Sequence, residues 1–370
     1  MINKDRILKL FTELVSIDNS SLNERALCDK LKEKLSLLGI NSHEDNAAEK
    51  IGGTAGNIYA FIEGSKKLPP ILLSAHTDSV EPAKGKNAVV HSDGTITSNG
   101  TTVLGADDIS GICAIIEAIT SIKESGADHR PVELLFDAAE EIYCKGIQQF
   151  DFTKLKSKEA YIFDLSGEVG IAAYQAPSII SFTAQFKGRA AHAAFSPENG
   201  IHAIKAAADA INSIKCGKVE NTTVNIGTIS GGSADNVVAE SCIVTGEVRS
   251  FDDSSARKQL DIVKRAFETS AEEIGAQVDF RTETLCLAYK VDTTERVAVR
   301  FKNVCKEIGF SGKLVDTYGG SDNNHFFHHG IKGLVVASGM NNCHSCNEYS
   351  SVAELEKAAK IAEALILSDE

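Results

Sequence analysis

The stretch Ile71-Leu72-Leu73-Ser74-Ala75-His76-Thr77-Asp78 is the strongest indication of the fold in this sequence. Its apolar beginning predicts a buried β-strand. It ends in His76 and Asp78, two side chains that can bind or orient a metal ion. In an open α/β sheet, ligands bind just beyond the carboxyl ends of the strands. His76 therefore stands where a functional site is expected, although a solvated strand end with a histidine and an aspartate is the simpler interpretation of this segment alone.

Length and composition predict two domains of the soluble globular class. The chain has 370 residues, of which 43% are hydrophobic and 24% charged, and this length is enough for two cores. The net charge of -13 argues against nucleic acid or an anionic membrane as a partner. Charged residues interrupt the first 18 positions, which excludes a signal-peptide core. Nine cysteines at scattered positions favour a reducing, cytoplasmic location.

The order of predicted elements divides the chain into two domains. Helices and strands alternate over residues 1–177 and again over 288–370. This predicts an α/β fold with a mixed, mostly parallel sheet and helices on both faces. Residues 178–287 instead follow the order β-α-β-β-α-β, which predicts an inserted ferredoxin-like α+β lid domain. Ser21 and Glu24 predict a capping box at the start of the second helix.

Five side chains along the first domain form a candidate metal centre. Each has an ordinary explanation as a helix cap, a solvated turn or a first-turn acid. Together, however, they fall on the carboxyl edge of one predicted sheet, and imidazole with carboxylate is a ligand set that suits zinc, with cobalt or manganese as substitutes. The five are His76, Asp107, Glu141, Asp164 and His344. Two divalent ions are expected if one carboxylate bridges them, and Glu140, beside Glu141, fits the role of a base that is not a ligand.

These motifs, in this order, resemble the peptidase T branch of the di-zinc exopeptidases, whose superfamily also holds aminoacylases, acetylornithine deacetylases and carnosinase-type dipeptidases. The motifs are His76-Thr77-Asp78, Gly105-Ala106-Asp107-Asp108, Glu140-Glu141, Asp164 and His344. The resemblance implies that Asp107 bridges two metals, with His76 and Asp164 on one and Glu141 and His344 on the other. It also implies that Glu140 is the general base, that Asp78 holds His76, and that the Asp107–Asp108 peptide is cis.

Three residues of the predicted lid domain match family patterns, one for catalysis and two for substrate binding. His192, in Gly188-Arg189-Ala190-Ala191-His192-Ala193, resembles the histidine that hydrogen-bonds the tetrahedral oxyanion, reaching across a dimer interface in dimeric relatives. Asn236 and Arg249 resemble groups that hold the substrate backbone and carboxylate. A structural histidine and a salt bridge within the sheet are the alternatives for His192 and Arg249.

The resemblance predicts a metal-dependent exopeptidase that hydrolyses small peptides through a metal-bridging hydroxide, as a homodimer paired through its lid domain. Tyr318-Gly319-Gly320-Ser321-Asp322 departs from the family pattern, because peptidase T has arginine where Tyr318 stands. Tyr318 offers no charge to a peptide terminus, so strict tripeptide specificity does not follow. A deacylase of N-acyl amino acids is the alternative enzyme, and an inactive metal-binding protein is the alternative from another class.

Overall fold

The computed structural model describes residues 1–370, which form two compact units. The first unit comprises Met1–Gln175, Lys290–Thr317 and Ser321–Glu370. The second comprises Ala176–Tyr289 together with the short segment Tyr318–Gly320. The first unit is therefore discontinuous in sequence.

The helices in chain order are α1 Lys4–Val15, α2 Arg25–Leu37, α3 Ala47–Ile51, α4 Ala106–Ser125, α5 Ala203–Ser213, α6 Asp253–Ile274, α7 Arg296–Glu307, α8 Asn323–His328 and α9 Val352–Leu367. The strands are β1 Ser42–Glu44, β2 Ile58–Ile62, β3 Ile71–His76, β4 Val89–Val90, β5 Thr95–Thr97, β6 Val132–Asp137, β7 Glu159–Ser166, β8 Ile171–Ala176, β9 Ser178–Lys187, β10 Gly217–Val219, β11 Thr222–Gly231, β12 Ser241–Ser250, β13 Gln277–Cys286, β14 Tyr289–Lys290, β15 Lys313–Asp316, β16 Lys332–Met340 and β17 Tyr349–Ser351.

A nine-stranded mixed sheet is the centre of the first unit, in the order β1-β2-β6-β3-β7-β16-β8-β14, with β15 beside β8. Strands β6, β3, β7 and β16 run parallel to one another. Both β3 and β6 are buried along their whole length, as expected for central parallel strands covered on both faces. Helix α4 packs against β3, β7 and β16 as well as against α1 and α9. The predicted α/β architecture is therefore confirmed.

The predicted capping box at the start of α2 is wrong. The residue before the helix is Glu24, and its side chain makes no capping hydrogen bond to α2. Instead, Oε1 of Glu24 accepts hydrogen bonds from the backbone N–H groups of Leu22 and Ala139. The hydroxyl of Ser21 donates to Asp78, 57 residues further along the chain. Two residues with a local capping signature thus serve tertiary contacts.

The second unit is a five-stranded antiparallel sheet in the order β10-β11-β12-β9-β13. Without the short edge strand β10, this is the strand order of a ferredoxin-like fold, as predicted. Helices α5 and α6 pack on each other and on the sheet. Its core contains the ring of Phe182 stacked on Phe280 and edge-on to Phe267, at centroid distances of 5.2 Å and 5.9 Å. No helix in either unit is both long and apolar enough to cross a membrane.

Candidate metal centre

The parallel strands bring the five candidate metal ligands to one edge of the large sheet. His76 is the last residue of β3, Glu141 lies in the turn after β6, and His344 lies in the loop after β16. Asp164 is inside β7 rather than at its end. Because β3 pairs with β7 only as far as Ser74 and Ile162, Asp164 lies beyond the paired part of β7. Asp107 is in the first turn of α4, and the peptide joining it to Asp108 is cis, as predicted.

Asp107 lies between the two histidines. Its Oδ1 is 3.0 Å from Nε2 of His76, and its Oδ2 is 3.3 Å from Nε2 of His344. Nε2 of His344 is also 2.8 Å from Oε2 of Glu141, and Nε2 of His76 is 3.8 Å from Oδ1 of Asp164. Each oxygen of Asp107 therefore faces a different histidine, and each histidine faces a second carboxylate. This is the arrangement expected of one bridging carboxylate between two metal positions.

The charge balance of this edge also fits a pair of cations. Burial, followed by the charge of neighbouring carboxylates, raises the pKa of Glu141 and raises the pKa of Asp164 well above its ordinary value. Hydrogen bonds to Asp107 and then Glu141 raise the pKa of His344 to about 11. The charged carboxylates of Glu141 and Asp164 repel their neighbours, and bound cations would relieve that repulsion. The donor set and its geometry thus fit two divalent ions.

Asp78 organises both ends of this centre. Nδ1 of His76 is 3.1 Å from the main-chain oxygen of Asp78 and 3.4 Å from its carboxylate. The same carboxylate accepts hydrogen bonds from the backbone N–H groups of Glu140 at 2.9 Å and Glu141 at 3.2 Å, and from the Ser21 hydroxyl at 2.6 Å. Asp78 is fully buried. It therefore fixes the Glu140–Glu141 turn as well as the ring of His76.

Sequence reasoning missed Glu348, which holds the loop that carries Asp107. Its carboxylate accepts hydrogen bonds from the backbone N–H groups of Gly105 at 2.7 Å and of Asp107 at 2.9 Å. Burial raises the pKa of Glu348 to about 7. Its position four residues after His344 was the one feature of the sequence that could have indicated a role near the site. An acid in a polar loop, however, has no local feature that predicts which backbone groups it binds.

Within the second unit, the segments of His192 and Asn236 lie side by side. His192 forms an isolated antiparallel bridge with Val237, and the backbone N–H of Ala193 donates to the oxygen of Asn236. The His192 ring is exposed, and its Nδ1 accepts from the backbone N–H groups of Ala194 and Phe195. The predicted catalytic residue His192 and the predicted substrate-binding residue Asn236, 44 positions apart in sequence, thus lie on neighbouring backbone segments.

Arg249 is held within the second unit by partners that orient its guanidinium. Its Nε and Nη2 donate to the carboxylate of Glu247 at 2.7 Å and 3.1 Å. Its Nη1 donates to the main-chain oxygen of Tyr318 at 2.8 Å. The Tyr318 ring lies 4.9 Å from that of Phe251 and is 57% exposed. A guanidinium has five N–H donors, so two remain for a ligand.

The comparisons with known proteins agree with this architecture. The second unit matches the family model described as a peptidase dimerisation domain over residues 174–279, and part of the first matches Peptidase family M28 over residues 57–169. A solved tripeptidase from Staphylococcus aureus is similar with a TM-score of 0.94 and 33% identity, over 99% of this chain and 98% of that one. The chain belongs to the peptidase T-like branch of the di-zinc exopeptidases.

Other relatives of this peptidase T-like chain extend the similarity along its whole length. It is 34% identical over 367 residues to the uncharacterized protein YqjE of Bacillus subtilis (strain 168), covering 99% of each. The aminopeptidase PepT from Bacillus cereus ATCC 10987 is similar with a TM-score of 0.89 and 33% identity, over 99% of this chain and 98% of that one. Family membership makes the chain a metallopeptidase-type hydrolase.

Proposed function

We propose that this chain is a zinc-dependent exopeptidase that hydrolyses an amide bond of di- or tripeptides. The observation that carries the proposal is the position of Asp107 between His76 and His344, with Glu140 held beside this set by Asp78. The names of the similar structures, a tripeptidase and an aminopeptidase PepT, support small peptides as substrates. Tyr318 offers no charge to a peptide terminus, so the proposal is not limited to tripeptides.

In this proposal the five ligands divide into two sets that share Asp107. His76 and Asp164 belong to one metal position, and Glu141 and His344 to the other. When bound, two such ions polarise the substrate carbonyl and acidify water. Burial and then the charge of Asp164 raise the pKa of Glu140 well above its ordinary value, which suits a group that accepts a proton from water and returns it to the leaving amine.

The second unit supplies the proposed substrate contacts. Arg249 offers the two N–H donors that Glu247 and Tyr318 leave available, and these match the two oxygens of a substrate carboxylate. Asn236 holds the substrate backbone, and His192 donates to the oxyanion.

The match to a peptidase dimerisation domain supports pairing of two copies through this unit. The odd number and scattered positions of the nine cysteines support a reducing, cytoplasmic location.

Replacing the base tests the mechanism directly. Glu140→Ala should retain both metal ions but lose turnover by a factor on the order of 10²–10⁴, because the base is not a ligand. Metal analysis of the purified variant, beside tripeptide hydrolysis, measures both effects. Glu49→Ala, which removes an exposed glutamate on α3, is the control. A Glu140→Ala variant that binds fewer than two ions would move Glu140 into the metal coordination sphere.

The substrate class is tested with a matched panel. Free di- and tripeptides, their N-acetyl forms and N-acetyl amino acids should be compared on the zinc-loaded enzyme. The proposal predicts the highest kcat/KM for free peptides. A preference for N-acetyl amino acids would show that the chain is a deacylase with the same metal chemistry.

A further inference from the structure

The proposed base Glu140 forms a compact group with a thiol and a second carboxylate, neither of which is among the five metal ligands. The ligand atoms of Glu140, Cys144 and Asp322 all lie within 4.8 Å of one another. Sγ of Cys144 is 3.3 Å from Oε1 of Glu140. All three residues belong to the first unit. We refer to these three residues as the thiol cluster.

The turn after β6 places the thiol there through an unusual backbone. The N–H of Cys144 donates to the main-chain oxygen of Glu140 at 2.7 Å. Ala139, Tyr143 and Cys144 have φ angles of 57°, 72° and 56°, in the left-handed region that residues other than glycine rarely adopt. Such conformations cost on the order of 1–3 kcal/mol each and occur where the surrounding structure imposes them. The turn thereby keeps Cys144 against Glu140.

Buried acceptor atoms without donors adjoin the thiol cluster. Oδ1 of Asp322 and both carboxylate oxygens of Asp137 are buried and receive no hydrogen bond. The two residues are 1% and 0% exposed. Such acceptors normally have partners, and a cation is one ligand that would satisfy them.

We propose that the thiol cluster is a third metal site, which takes a thiophilic divalent ion such as Zn²⁺ or Cd²⁺ and thereby blocks Glu140. With zinc–sulfur and zinc–oxygen bonds of about 2.3 and 2.1 Å, the sulfur–oxygen edge of a coordination tetrahedron is about 3.6 Å. The observed 3.3 Å between Cys144 and Glu140 needs only a small adjustment to reach it. The thiol releases its proton to solvent when the metal–sulfur bond forms.

The third ion should inhibit because a carboxylate bound to metal no longer accepts a proton. Loss of a general base costs on the order of 10²–10⁴ in rate, so saturation of the site should abolish most activity. The inhibitory consequence rests on the proposed role of Glu140. The binding of the ion does not, and the two are measured separately.

The experiment titrates cadmium chloride into the zinc-loaded enzyme. Ultraviolet thiolate-to-metal charge-transfer absorption detects cadmium on sulfur, and it is silent for the five nitrogen and oxygen ligands of the candidate metal centre. Equilibrium dialysis counts the ions, and tripeptide hydrolysis is followed in parallel. Wild type should show the new absorption, one further ion per chain and progressive inhibition. Cys144→Ser should lose the absorption and the further ion, whereas Cys216→Ser, which removes an exposed thiol, should behave as wild type.

Asp322→Asn provides a second variant if Cys144→Ser does not fold. It keeps the thiol but removes a carboxylate charge, so the cadmium affinity should fall at least about tenfold, as for loss of a supporting group. Equal absorption and stoichiometry in wild type and Cys144→Ser, or unchanged affinity in Asp322→Asn, would overturn the site. Cadmium binding to Cys144 without any inhibition would overturn the blocking of Glu140 and, with it, the proposed base.

Discussion

Asp78→Asn should weaken metal binding although Asp78 is not among the five candidate ligands. In the native structure one carboxylate oxygen accepts from the N–H of Glu140, and the other accepts from the N–H of Glu141 and the hydroxyl of Ser21. Asparagine has the same shape but only one acceptor oxygen. One backbone N–H of the Glu140–Glu141 turn must therefore face an amide N–H. A buried donor without a partner costs about 1–3 kcal/mol.

The N–H group left without an acceptor belongs to the turn that carries Glu140 and Glu141, so this turn is destabilised. We expect a lower free energy of unfolding by about 1–3 kcal/mol and a metal affinity reduced about 10–100-fold, as for other residues that orient metal ligands. Zinc affinity in a chelator-buffered titration and thermal unfolding of the metal-free protein measure the two effects. Activity at saturating zinc then separates weak metal binding from a displaced base.

Ser21→Ala is the matched control, because it removes one hydrogen bond to Asp78 and leaves the Glu140 and Glu141 contacts in place. Its unfolding free energy should fall by about 1 kcal/mol, with zinc affinity nearly unchanged. Equal zinc affinity and equal kcat in Asp78→Asn and Ser21→Ala would refute the proposed role of Asp78.

Three further predictions concern the substrate, the partner subunit and the metals. If Arg249 binds a substrate carboxylate, amidation of the peptide C-terminus should lower kcat/KM by an amount equivalent to about 1.5–3 kcal/mol; equal rates on free and amidated peptides would exclude that contact. If His192 acts on the active site of the neighbouring subunit, mixing the inactive variants Glu140→Ala and His192→Ala should restore about a quarter of wild-type activity, and no recovery after proven subunit exchange would exclude it. In the metal-free protein, burial raises the pKa values of Glu141 and Asp164, so the unfolded chain loses these protons at a lower pH than the folded protein does. The melting temperature should therefore fall as the pH rises above the ordinary carboxylate pKa of about 4, and bound zinc should abolish this slope.

Much of the first unit was predictable because its signals are local. The strand Val132–Asp137 and the helix Val352–Leu367 have such signals, since an apolar run and a helical period are properties of neighbouring residues. The start of helix α5, at Ala203, has no such local signal. There a short 3₁₀ turn at Pro197–Asn199 precedes the helix. Boundaries depend on loop contacts that periodicity does not contain.

The sequence by itself determined the candidate ligand set, because the chemistry of imidazole and carboxylate groups near strand ends and a helix start is a property of residue type and order. Only the tertiary structure decided how these groups are supported. Ser21 has a local capping pattern, yet its hydroxyl binds Asp78, and Glu348 binds the loop of Asp107 across 241 positions. Asp322 likewise meets Glu140 and Cys144 from a distant segment. Hydrogen bonds and burial between remote segments depend on how the sheet is assembled, and no local pattern in the sequence encodes that assembly.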